Sequence, residues 1–241
     1  MQKWDVVDTI VGYIPTIDFD YTADEVSLFE TTIRYLGGMV SAVDLLSVNG
    51  TYGKGVQGIL EQAVRLADRL KVAFDTPSGV PDNVLLWNPP RRKGSKTNGI
   101  ATIGTLVLEW QRLSDLTGIR EFGELARRAE GFLLRPEPRG LAEPWPGLLG
   151  TDVDIETGRF VNGVGGWGAG DDSFYEYLIK MWLYDGGRFG ELRERWELAV
   201  QSSIRYLVSR PRGREDLVYV AMWNGRELEF VGQHCEFFFV F

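Results

Sequence analysis

The sequence predicts an all-α fold, an α/α toroid carrying β-hairpins, on three observations. Apolar residues recur at helical spacing in one segment after another. Gly- and Pro-rich turns separate these segments and favour antiparallel helix neighbours. Two stretches change to short strand-like runs around turn residues, which places hairpins at one end of the helix pairs.

Along the chain, Trp4–Tyr13 reads as the back half of a helix. Thr22-Ala23-Asp24-Glu25 has the form of a capping box, and Phe29, Ile33, Leu36 and Val40 follow at helical spacing to about Leu46. A second helix is expected over about 56–73, with Ile59, Leu60, Ala63, Leu66, Ala67 and Leu70 on one face. The stretch 76–96 contains Pro77, Pro81, Pro89 and Pro90 and reads as a long loop packed over a mouth or an edge. Helices resume at 100–116, stopped by Gly118, and at about 121–134, 173–184 and 189–207. One hairpin is expected over 153–161 with its turn at Glu156-Thr157-Gly158, and another over 217–231 with its turn at Asn224-Gly225, a dipeptide that favours type I′. Nothing marks a second domain. The closing stretch 235–241, almost entirely aromatic, has neither turn nor cap and reads as an abrupt end.

Composition narrows the function. Of 241 residues 44% are hydrophobic and 25% charged, which is enough apolar material for a sizeable core. The 26 basic and 34 acidic residues leave a net charge of −8 with no basic run, so nucleic acid and anionic lipid are poor partners while neutral sugars stay open. No apolar run is long enough to span a bilayer, and the start lacks a signal-peptide core. Cys235 is the single cysteine and can form no internal disulfide. Asn49-Gly50-Thr51 is a glycosylation sequon, a triplet common by chance.

Several carboxylates stand out. Glu30 and Arg34 are four apart on a helix, which is either a surface ion pair or part of a site. The helical Gly37-Gly38 that follows costs about 1 kcal/mol per glycine relative to alanine and suits the close approach of a second backbone or a ligand. Asp171 and Asp172 open another helix after the Gly-rich 163–170 stretch, either as an N-cap or as carboxylates delivered to a crowded site. Glu176 is one turn beyond Asp172 on the same face. Glu109 interrupts an apolar stretch, so it is on the solvent face or buried with partners. His234 is the only histidine and is more readily structural than catalytic. No nucleophile elbow, phosphate loop, dinucleotide fingerprint or zinc spacing occurs. Inward carboxylates in a helical barrel suit glycoside hydrolysis, which places two carboxylic acids about a scissile bond.

Three stretches sharpen this: Ser27-Leu-Phe-Glu-Thr-Thr-Ile-Arg-Tyr-Leu-Gly-Gly38, Gly104-Thr-Leu-Val-Leu-Glu-Trp-Gln-Arg-Leu-Ser-Asp-Leu-Thr-Gly118, and Asp171-Asp-Ser-Phe-Tyr-Glu-Tyr-Leu-Ile-Lys180. In this order they resemble the motifs of class I α-1,2-mannosidases, glycoside hydrolase family 47, and Ala73-Phe-Asp-Thr-Pro-Ser-Gly-Val-Pro81 resembles the filamentous-fungal branch. The resemblance runs to about His234. It implies a partial (αα)7 barrel over 1–234, an aberrant aromatic tail over 235–241, and a chain truncated at both ends.

The same resemblance implies an inverting, calcium-dependent hydrolase that removes α-1,2-linked mannose from high-mannose N-glycans or glycoproteins. Its intact members work in the secretory pathway. Glu30 is then the general acid, acting through a water, and Asp172 an active-site carboxylate. Arg34 orients Glu30 and contacts substrate, Glu109 and Glu176 line the sugar pocket, and His234 lies near it. Gly170 occupies a position where family enzymes that cut a single mannose carry arginine, which points to trimming of several mannoses. The family's second catalytic carboxylate belongs to a later Arg-Pro-Glu-Thr motif. Arg135-Pro136-Glu137 copies only its first three residues, at a turn too early in the chain, and the calcium-binding threonine has no counterpart. The chain is therefore expected to be an inactive piece of a mannosidase. The alternative is a non-catalytic mannose-glycan-binding module in glycoprotein quality control.

Overall fold

Helices form where the apolar periodicity is strongest. A computed structural model describes residues 3–48, 53–210, 212–214 and 216–230, so the sequon, His234 and the 235–241 tail lie outside the described residues. The chain begins with α1 (Trp4–Tyr13), β1 (Val26–Ser27), α2 (Leu28–Thr31), a π turn (Thr32–Leu36), α3 (Gly37–Ser47) and α4 (Gly53–Leu70). It continues through β2 (Val84–Trp87), β3 (Pro90–Arg92), β4 (Thr97–Gly99), α5 (Ile100–Gly104), α6 (Val107–Thr117), α7 (Arg120–Leu134) and α8 (Arg139–Ala142). Then come β5 (Asp152–Asp154), β6 (Val164–Gly165), α9 (Asp172–Tyr184), α10 (Gly190–Ser202) and a second π turn (Ser203–Leu207). The short strands β7 (Val208–Ser209), β8 (Tyr219–Val220), β9 (Met222–Asn224) and β10 (Glu227–Glu229) follow. Every ladder among the described residues is antiparallel.

The residues divide into two compact units. The first comprises Met1–Asp75, Asp82–Ser95 and Glu109–Leu125. In it α4 buries Ile59, Ala63, Leu66, Ala67 and Leu70 at the expected spacing. Buried Gln62 donates from Nε2 to the carbonyls of Pro15 (2.8 Å) and Ile17 (3.0 Å), so its amide carries no desolvated donor. Trp110, fully buried, meets Phe74 and Phe122 edge-on at 5.0 and 6.1 Å between ring centroids.

The second unit comprises Thr76–Pro81, Lys96–Leu108 and Ala126–Phe241. Here α9 packs against α5 and α10. Gly104 permits the close approach of α5: a Cβ there would lie 2.5 Å from Cδ2 of buried Phe174.

Four expectations need correction. Thr22–Glu25 is not a helix start; the Thr22 hydroxyl accepts from the Asp24 N–H within a bend, and the helix begins at Leu28 with Ser27 as its N-cap. The stretch 76–96 is not bare loop. It contains the β2–β3 hairpin, which pairs with β1 through Val26↔Leu85 and Ser27↔Val84. The prolines hid it, but Pro90 sits in an edge strand, where a missing N–H is tolerated. The 100–116 helix is broken at Thr105–Leu106, where the Thr105 hydroxyl donates to Ser173 Oγ at 2.7 Å.

In the last hairpin Asn224 pairs with Glu227, so Gly225 and Arg226 form the turn, one residue later than expected. Gly225 has φ +59° and no described non-glycine residue has positive φ, which fits a type II′ turn rather than I′. The 153–161 turn does form: Asp154 N–H donates to Arg159 O and Gly158 N–H to Asp154 O, both at 2.8 Å. Its first strand, β5, takes its ladder partner from β4, however, and meets the returning chain at the Val153–Phe160 bridge and through Asn162 Nδ2, which donates to Asp152 Oδ2 at 2.7 Å.

Candidate active site

Glu30 stands at the third position of α2, where a capping-box glutamate would ordinarily turn back to the N-cap amide. Other residues cap this helix. The Ser27 hydroxyl accepts from the Glu30 N–H at 3.2 Å. Asn83, entering from β2, accepts from the Phe29 N–H through Oδ1 at 2.9 Å and from the Leu28 N–H through its carbonyl at 2.8 Å. With these donors satisfied, the Glu30 carboxylate extends along the helix and pairs with Nε of Arg34. The pair is accessible, with side-chain exposures of 48% for Glu30 and 68% for Arg34.

Arg34 lies inside the π turn, which closes through the Gly37 N–H onto the Thr32 carbonyl. Such turns recur at functional sites. Gly37 then supports the turn from behind. Buried Glu109 packs on it, and a Cβ would sit 3.3 Å from Glu109 Cγ and 3.5 Å from Oε1. The expected close approach to the glycine pair therefore comes from a side chain and at Gly37 alone, since nothing lies within 4 Å of a Cβ at Gly38. Glu30, Arg34 and Glu109 all belong to the first unit.

In the second unit Asp172 opens α9 and donates its N–H to Gly168 O at 3.0 Å. Glu176 follows one turn later and pairs with Lys180. Asp171 occupies the N-cap position, but its side chain makes no capping bond. It is 3% exposed and is held by the Thr151 hydroxyl and the Gly166 backbone, with Oδ1 unpartnered. Burial pushes its pKa up to about 8, and the charges of Asp172 and Asp152 add to the effect. The Gly-rich stretch before it is packed: a Cβ at Gly165 would lie 2.3 Å from Leu149 O and 2.5 Å from the Trp223 ring.

Sequence reading overlooked Asp171 as a buried acid and the Thr32–Trp110 and Ser203–Trp167 contacts. One signal was available for the contacts: Ile-Arg-Tyr-Leu occurs twice, after Thr32 and after Ser203. Glu30 and Asp172 belong to different units, and His234 lies outside the described residues. Among the described residues no three His, Cys, Asp or Glu side chains cluster as metal ligands. These residues offer calcium no such set of carboxylate donors.

A helical scaffold with paired hairpins and carboxylates at helix starts defines a class, and residues 1–240 match the model of glycosyl hydrolase family 47; the chain belongs to that family. It is 50% identical to a mannosyl-oligosaccharide α-1,2-mannosidase of Coccidioides posadasii, over 99% of this chain and 46% of that protein. It is also 50% identical to a probable mannosyl-oligosaccharide α-1,2-mannosidase 1B of Aspergillus clavatus, over 99% of this chain and 47% of the relative. The solved α-1,2-mannosidase of Trichoderma reesei superposes with a TM-score of 0.89 at 48% identity, covering 93% of this chain and 47% of that one. The chain thus spans about half the length of the curated relatives it matches. The expected α/α class stands, on a fungal-type mannosidase template.

Proposed function

We propose that this chain supplies the acid side of an inverting α-1,2-mannosidase that trims high-mannose N-glycans in the secretory pathway. Glu30 protonates the glycosidic oxygen through a water as the anomeric carbon–oxygen bond breaks, and Arg34 holds the carboxyl in place. A second water adds to the opposite face of the sugar with help from a carboxylate, so configuration inverts. Asp172 is an active-site carboxylate, while Glu109, Glu176 and His234 border the mannose. Calcium, if bound, would supply a hard cation that takes sugar hydroxyls as oxygen ligands. No described helix is long and apolar enough to cross a membrane.

The observation that supports this reading most is the accessible pairing of Glu30 with Arg34 at a helix start held by Ser27 and Asn83. Ser27 and Asn83 hold the Leu28, Phe29 and Glu30 amides, while the Glu30 carboxylate stays accessible and pairs with Arg34 one turn on. The test replaces the matching segment of the Trichoderma reesei enzyme with these residues. The chimera should release mannose from α-1,2-mannobiose with calcium present, and Glu30→Gln should lower turnover by about 10²–10⁴-fold. Full activity in the Gln variant would remove Glu30 from the acid role.

A further inference from the structure

The two π turns are copies of one construction. Thr32-Ile33-Arg34-Tyr35-Leu36 and Ser203-Ile204-Arg205-Tyr206-Leu207 differ only in the choice of hydroxyl residue at the start. Each closes in the same register: the Gly37 N–H bonds to the Thr32 carbonyl, and the Val208 N–H to the Ser203 carbonyl. In each the leading residue is buried, Thr32 at 0% and Ser203 at 2% exposure. In each its hydroxyl accepts an indole N–H, from Trp110 Nε1 at 3.2 Å and from Trp167 Nε1 at 2.8 Å. The closing leucines, Leu36 and Leu207, are fully buried. Both tyrosines meet an aromatic ring: Tyr35 is edge-on to Phe19, and Tyr206 is stacked on Trp145.

Each construction holds a segment that carries a carboxylate. Thr32 is two residues beyond Glu30 in the same short helical run. Trp110 follows Glu109, the side chain that packs on Gly37, so the indole bond ties the start of α6 to the turn from that side too. In the second unit the indole belongs to the Gly-rich stretch that leads into α9. Trp167 lies on the ring of buried Tyr175 at 4.3 Å between centroids, and Gly168 next to it accepts the Asp172 N–H. The Ser203 hydroxyl also donates to Ala199 O at 2.8 Å, so as an acceptor it is set in one orientation.

We propose that Thr32 and Trp110 are positioning residues for Glu30, and that Ser203 and Trp167 are positioning residues for Asp172, each pair acting as an indole–hydroxyl latch at a π turn. The functional meaning rests on the mannosidase reading; the latches themselves do not. Neither latch touches a reacting group. Their effect is to fix where the carboxylate sits, which matters because a misplacement of about 1 Å can cost about 10²-fold in rate.

The test uses the 241-residue chain, with the carboxyl-carbon resonances of Glu30 and Asp172 and the indole N–H resonances of Trp110 and Trp167 as NMR readouts. Thr32→Val and Trp110→Phe should shift the Glu30 resonance and leave that of Asp172 in place. Ser203→Ala and Trp167→Phe should do the reverse. Thr32→Ser and Ser203→Thr, which keep the hydroxyl, should restore both carboxyl and indole signals. If a deleting variant does not fold, its partner across the same hydrogen bond tests the same latch. Global loosening would move both carboxylates together, and that result, or neither moving, overturns the proposal. Failure of the mannosidase reading shows in the chimera assay and leaves these spectra unchanged.

Discussion

Glu130 lies on the buried face of α7, 3% exposed, with Oε1 unpartnered. Burial raises its pKa from 4.5 to about 8; the nearby charge of Glu191 adds to the rise and Arg127 opposes it. The sign follows directly. Below about pH 4.5 both folded and unfolded chains hold the proton, and nothing is lost. Between 4.5 and about 8 the unfolded chain releases the proton while the folded one keeps it, so stability falls as pH rises. The gap of about 3.5 pH units, at about 1.4 kcal/mol each, amounts to about 5 kcal/mol once both forms are ionised, and about 3 kcal/mol is already lost at pH 7. Glu130→Gln keeps the shape and removes the proton equilibrium. The variant should match the parent near pH 4.5 and exceed it by about 3 kcal/mol at pH 7, or roughly 6–12 °C in Tm for a chain of this size. Urea unfolding followed by circular dichroism from pH 4.5 to 8.5 measures the difference. A difference between Gln and Glu that stays flat across this range would refute the reasoning, because any purely steric effect of the substitution is independent of pH.

Other outcomes follow from single contacts. Gly104→Ala should lower the unfolding midpoint, since the new methyl meets Phe174 and overpacking typically costs about 1–3 kcal/mol against the roughly 1 kcal/mol that alanine brings to a helix; an unchanged midpoint contradicts the close packing of α5. Gly170 has φ +101°, so Gly170→Arg should cost about 1–2 kcal/mol in strain, read from Tm. With glycine in place the chimera should remove several α-1,2-linked mannoses from a high-mannose glycan, and product analysis that stops after one contradicts this. The 241 residues alone, which lack the family's Arg-Pro-Glu-Thr carboxylate, should release no mannose with calcium in the same assay; robust release would mean that Asp172 serves as the base unaided.

Local patterns were legible where local forces decide. The apolar stripe of α4 placed that helix to within a few residues, because burying Ile59, Ala63, Leu66 and Leu70 on one side is what that segment does in the fold. Ser27-Leu-Phe-Glu30 also has the form of a capping box, but Thr22–Glu25 has it equally, and only pairing of β1 with β2 selects the later one. Asn224-Gly225 is the stronger turn dipeptide in isolation. Register is set instead by β6, which pairs Gly165 with fully buried Trp223 and Val164 with Asn224, and this carries the turn one residue on. The Glu30–Arg34 pair could be read from its four-residue spacing, its catalytic role only from the family motif, and the indole bonds to Thr32 and Ser203 join residues distant in sequence. Asp171 could be read as a cap, as aspartate at a helix start usually is, or as a carboxylate of a crowded site; its contacts with Thr151 and the Gly166 backbone are ones no local pattern reports.

Asn83 leaves a different kind of consequence. The β2–β3 hairpin looks like ornament, yet one end of it holds the amides beneath the proposed proton donor. Variation in this hairpin is therefore not uniform in effect. Lengthening the tip between Trp87 and Pro90 disturbs only the Asn88 bond to the Thr22 carbonyl, whereas a single residue gained or lost between Asp82 and Val84 draws Asn83 off the Leu28 and Phe29 amides in the first turn beneath Glu30. Anyone grafting hairpins between relatives must keep an amide donor at the tip and preserve the count of residues that leads up to Asn83.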